Sequence, residues 1–101
     1  MEVRKEVLDA IILALGDKGI LPLENLEAAV CLQLEALKVK GKGEGYQPLL
    51  FQQLLGDLYR TSRVKKIIPS LKCGVLCYAL TEKGMHLYTA LLDALRNQHH
   101  E

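Results

Sequence analysis

The sequence predicts a mainly α domain with a small β-hairpin, and three observations predict it. Apolar residues recur at helical spacing in four separate stretches. Two short runs, Val64 to Ile68 and Val75 to Leu80, alternate like strands around a connection containing Pro69 and Gly74. With no Trp and only five aromatic residues, the core has to be built from Leu, Val, Ile and Ala, which favours helices. A chain of 101 residues, half of them apolar and a quarter charged, reads as one globular domain over 1–101. Such a domain buries roughly 60–65% of the surface its unfolded chain exposes.

The first helix is carried by Val3, Val7, Leu8, Ile11, Ile12 and Leu15, with Gly16 and Gly19 expected to end it. Ile20-Leu21 is a short apolar link or a stub of strand. Pro22 suits the first turn of a second helix, where its missing N–H goes unmissed. That helix runs to about Lys38, with Leu26, Ala29, Val30, Leu34 and Leu37 on its buried side. The glycines of Lys40-Gly41-Lys42-Gly43-Glu44-Gly45 then break the pattern.

A third helix begins near Pro48 and reaches about Arg60. At about 100° per residue, Leu50, Phe51, Leu54, Leu55 and Leu58 cover one broad side. Gln52, Gln53, Gly56 and Arg60 face the other way, with Asp57 at the margin. Thr61-Ser62 ends the helix and leads into the hairpin. On its second strand, Leu76, Tyr78 and Leu80 are expected to face inward, leaving Val75, Cys77 and Ala79 outward. Thr81 is a good N-cap for a last helix over 82–98, with Met85, Tyr88, Leu91, Leu92 and Leu95 on one side.

Charge is unevenly placed. Between Ala36 and Lys72 there are eight basic and two acidic residues, a local balance of +6; the rest of the chain has five basic and ten acidic residues, a balance of −5. A basic middle points to a polyanionic partner. No apolar run approaches the ~20 residues a membrane span needs. The N-terminal stretch lacks the pattern of a signal peptide. The expectation is a cytoplasmic protein with no membrane association.

The chemistry-bearing residues form no convincing catalytic set. Serine, histidine and aspartate show no triad pattern, and no nucleotide fingerprint is present. Gly41-Lys42-Gly43-Glu44-Gly45 follows a helix instead of a strand and lacks the Gly-Lys-Ser/Thr ending of a phosphate loop. Cys73, Cys77 and His86 do not meet zinc spacings, and Cys31, inside an apolar helix, reads as a packing residue. Cys73, in the hairpin connection, is a candidate redox thiol. No enzyme activity, metal or cofactor is implied.

The order helix, helix, helix, hairpin, helix, closed by Tyr78-Ala79-Leu80-Thr81-Glu82-Lys83-Gly84, resembles winged helix-turn-helix proteins. It is most similar to small transcriptional regulators of the MarR and PadR kind, including short archaeal versions. In those families a Y-x-L-T-x-x-G segment closes the wing and opens a dimerising helix. The resemblance implies a core over 1–81, a wing near 64–80 and a C-terminal dimerisation helix over 82–98.

It also implies double-stranded DNA as partner and a homodimer joined through the last helix. The third helix would be the recognition helix, with Gln52, Gln53, Gly56 and Arg60 toward the major groove. Arg63, Lys65, Lys66 and Lys72 would meet phosphates. The connection 39–47 departs from the usual turn of about three or four residues. Either the second helix is offset, or the connection forms an added arm that touches DNA. The competing reading is a winged-helix protein–protein interaction module without DNA binding. RNA binding is a weaker reading, because few aromatics are available for stacking.

Overall fold

The computed structural model describes residues 3–41, 45–68 and 75–98. Helix α1 (Val3–Lys18) leads through strand β1 (Ile20–Pro22) into α2 (Leu23–Val39) and then α3 (Pro48–Arg60). Strands β2 (Val64–Ile67) and β3 (Cys77–Leu80) follow, and α4 (Glu82–Gln98) ends the described chain. The hairpin connection with Lys72 and Cys73, and Lys42 of the 39–47 connection, lie outside the described residues.

Helix α1 is the hub. Its centre, Ala10 to Leu15, is an unbroken apolar run, and a helix apolar on every side belongs inside a core. It packs against α2, α3 and α4 and against β3. Val7, Ala10, Ile11, Ile12 and Leu15 are buried with Leu26, Val30 and Leu34 of α2 and Phe51, Leu54, Leu55 and Leu58 of α3. Gly16, expected to stop α1, lies inside it. A Cβ there would run into the ring of Tyr88, so this glycine seats α4 rather than ending a helix. Gly19, at φ +85°, is the true terminator, and its N–H donates to the Leu15 carbonyl over 2.8 Å.

Ile20-Leu21 belongs to a strand, so the hairpin is part of a three-stranded antiparallel sheet in the order β1-β3-β2. Ile20 pairs with Ala79 and Pro22 with Cys77, while Val64 pairs with Leu80 and Ile67 with Cys77. This placement changes how β3 is buried. All four of its residues are buried, because a central strand has neighbours on both edges. The small side chains of Cys77 and Ala79, expected to face outward, are flanked by Ile20, Pro22, Lys65 and Ile67 on their own face. Leu76, expected inward, precedes the strand and is exposed, as is Val75.

Two joints fix the angles between elements. At the end of α3, the N–H groups of Ser62 and Arg63 donate to the carbonyls of Tyr59 and Leu58, at 3.1 and 2.9 Å. Ser62 takes the left-handed conformation, φ +62°, which turns the chain from helix into β2. At the start of α4, the Gly84 N–H donates to Thr81 Oγ1 over 3.2 Å, the N-cap bond expected of Thr81. Thr81 also donates its N–H to the Arg63 carbonyl over 3.1 Å and its hydroxyl to the Ser62 carbonyl. A Cβ on Gly84 would collide with the Arg63 carbonyl oxygen. The seven-residue segment 78–84 is therefore a joint between the sheet and α4.

Candidate nucleic-acid interface

The long connection between α2 and α3 leaves open where α3 sits, and Tyr46 answers it. Its N–H donates to Glu35 over 3.1 Å and its hydroxyl to Glu27, two carboxylates on α2. Its ring lies 6.0 Å from that of Phe51 on α3, tilted by 57°. One side chain thus bridges the two helices just before α3 begins. Burial, and then the hydrogen bond to Glu27, push the Tyr46 phenol above its ordinary pKa.

Helix α3 ends up amphipathic in the expected sense. Phe51, Leu54, Leu55 and Leu58 are buried, while Gln52, Gln53 and Arg60 are exposed. Gly56 is half-buried at the floor of a depression of about 220 Å³, lined also by Leu23, Gln52, Leu55, Tyr59, Lys66 and Tyr78. An added Cβ at Gly56 would meet only the Arg60 guanidinium, at 3.7 Å, an ordinary contact. Among the described residues, no contact requires this glycine.

The basic candidates do not share one surface. Lys65 and Lys66 are consecutive on β2 and so point to opposite faces. Lys66 pairs with Tyr78 on the α3 side, its ammonium 4.4 Å from the centre of the Tyr59 ring. Lys65 pairs with Ala79 on the other face. Arg63 lines a larger, mostly apolar cleft of about 440 Å³ between α1, α3 and α4, together with Arg4, Leu8, Asp57, Leu87 and Leu91. Arg60 is held by Asp57, whose other oxygen lies 3.7 Å from Arg4. Exposed pairs of this kind are worth about 0–1 kcal/mol, so Arg60 remains exchangeable. Structure brings Gln52, Gly56 and Lys66 together, keeps Gln53 and Arg60 on the same helix face, and sends Lys65 and Arg63 elsewhere.

Tyr59 and Leu49 belong to this face and were not singled out from the sequence. Helical phase would have found both, since Leu49 precedes Gln52 by three residues and Gln53 by four, and Tyr59 follows Gln52 by seven, spacings that keep residues on one side. Among the described residues, no group of three or more His, Cys, Asp or Glu side chains is placed to hold a metal ion. None of the described helices is long and apolar enough to cross a membrane.

Helix, strand, helix, helix and two further strands, with β3 between β1 and β2, make a winged helix-turn-helix, here extended by α4. No family model and no curated protein matches the chain. Among solved structures it is similar to a transcriptional regulator from Clostridium thermocellum, Cth-833, with a TM-score of 0.60 and 13% identity, over 97% of this chain and 91% of that one. It is also similar to RosR of H. salinarum, with a TM-score of 0.56 and 21% identity, over 91% of this chain and 74% of that one. At such identities the likeness establishes a shared fold.

Proposed function

We propose that this protein is a transcriptional regulator of the MarR and PadR kind that binds double-stranded DNA through α3 and dimerises through α4. The observation that carries the reading is the outward face of α3. It exposes two glutamines and an arginine, with Lys66 beside Gln52, around a glycine that no contact among the described residues requires. Glutamine can pair with adenine and arginine with guanine in the major groove. A helix glycine costs about 1 kcal/mol relative to alanine, and close approach of another backbone is the use that would offset it.

Helix α4 supports the dimer. Tyr88 and Leu91 pack onto the core, but Met85, Leu87 and Leu95 stay exposed. Exposed apolar residues on a terminal helix fit contact with a second copy of that helix. The fold similarity to a transcriptional regulator accords with this reading.

Fluorescence anisotropy with random-sequence duplex across a salt series tests it. The logarithm of affinity should fall linearly with that of salt, by about 0.9 for each phosphate neutralised. Lys66→Ala should shallow that slope by about one contact. Sedimentation should return twice the chain mass. Absence of duplex binding would reject the DNA reading.

One observation favours the interaction-module reading. Lys65 and Arg63 leave the α3 face, so the basic residues spread over several surfaces. In that reading the same anisotropy experiment returns no salt-dependent signal.

A further inference from the structure

Leu49 breaks the pattern of its helix. Leu50, Leu54, Leu55 and Leu58 turn toward the core, but Leu49 is 81% exposed. At about 100° per residue it lies within about 60° of Gln52, Gln53, Gly56 and Arg60, at the middle of their strip. It sits in the first turn of α3, directly after Pro48.

A single exposed leucine is ordinary on a protein surface. This one is set apart by its neighbours. An apolar group amid hydrogen-bonding side chains suits a surface that is itself mostly polar with isolated apolar points. The DNA major groove has that character. It offers donors and acceptors at every base pair, and one apolar group, the thymine 5-methyl. Helices docked in that groove bring their N-terminal residues to the base edges, and Leu49 is the second residue of α3.

We propose that Leu49 is a specificity-determining residue that packs on thymine methyl groups in the major groove, an inference that rests on the reading of α3 as a DNA-binding helix. Gln52 and Gln53 lie one turn further along the same strip. Glutamine takes the N6 and N7 atoms of adenine. Leucine and glutamine together therefore select A·T pairs, one side chain reading the methyl of thymine and the other the edge of adenine. Helical turns advance about 5.4 Å, so the two contacts fall on neighbouring base pairs.

The test uses a duplex enriched from a random pool by the wild-type protein, and the same duplex with deoxyuridine at every thymine. That exchange deletes the methyl groups and leaves every hydrogen-bonding edge in place. Wild-type affinity should fall about fourfold for each methyl contacted. Leu49→Ser should bind the two duplexes equally while unfolding near the wild-type temperature, because the Leu49 side chain is largely exposed. Equal binding of both duplexes by the wild type, with the salt dependence intact, overturns the role of Leu49 and leaves DNA binding standing. Discrimination by Leu49→Ser as strong as that of the wild type overturns it too. Failure to enrich any duplex removes both readings together.

Discussion

Gly56 in the middle of α3 and Gly84 in the first turn of α4 are both helical glycines, and among the described residues only Gly84 is required by packing. At Gly84 the first turn of α4 lies so close to the Arg63 carbonyl that no side chain fits, and Leu80 Cδ2 would be 2.9 Å from a Cβ. At Gly56 a Cβ would enter open space but for one arginine contact. The difference separates two kinds of constraint. Root residues of α4 answer to packing, whereas in the proposed reading the outward face of α3 answers to DNA. Gly16 sides with Gly84, since it admits the Tyr88 ring.

The comparison breaks first at Gly84. Gly84→Ala should destabilise the protein by about 3 kcal/mol, the upper end of overpacking costs. The obstacle is backbone and cannot rotate away. Urea unfolding followed by circular dichroism measures it. A loss below ~0.5 kcal/mol would mean that α4 can shift away from β2 without penalty.

Gly56→Ala should act with the opposite sign on stability. The helix gains about 0.5–1 kcal/mol from the better helix former, and the melting temperature rises. Binding to duplex should weaken about tenfold, the worth of one displaced base contact. A variant both more stable and equally tight would remove the functional reading of this glycine.

The smallest effect concerns pH and Tyr88, which donates to Asp17 across 2.7 Å and so ties α4 to α1. That hydrogen bond, with some burial and the Asp17 charge, raises the phenol above its usual pKa. A raised folded pKa means the stabilisation is complete below the unfolded value of about 10 and is lost as pH climbs from there through the folded value. Wild type should therefore lose more stability than Tyr88→Phe as pH rises above about 10. Parallel urea midpoints for the two proteins over that window would show that α4 is held by packing alone.

Much of the fold was legible because its signals are local. Helix α3 starts and stops where Pro48 and Thr61 predict, and Thr81 caps α4 as its hydroxyl suggests. What stayed hidden depends on partners distant in sequence. Strand β1 is three residues long and becomes a strand only because β3 arrives beside it from nearly sixty residues away. The same pairing buries Cys77 and Ala79, which alternation alone turns outward. Gly16 looks like a stop signal until Tyr88 is placed against it. Tyr46, the bridge that sets α3 on α2, leaves no periodic trace at all.

For the candidate interface, helical phase alone separates Gln52, Gln53 and Arg60 from the buried leucines. Strand alternation puts Lys65 and Lys66 on opposite faces, but which of them shares the side of α3 depends on the register with β3. It also does not reveal that Arg60 already has a carboxylate partner in Asp57.

One residue, Thr81, separates β3 from α4, and it makes four hydrogen bonds to its surroundings. A connector so short and so tied cannot act as a hinge. In the proposed dimer it would serve as a ruler. The separation of the two recognition helices would be set by rigid geometry running from α4 through Arg63 to the end of α3. Half-sites moved apart by a few base pairs would then be lost together, with no slack in the chain to follow them.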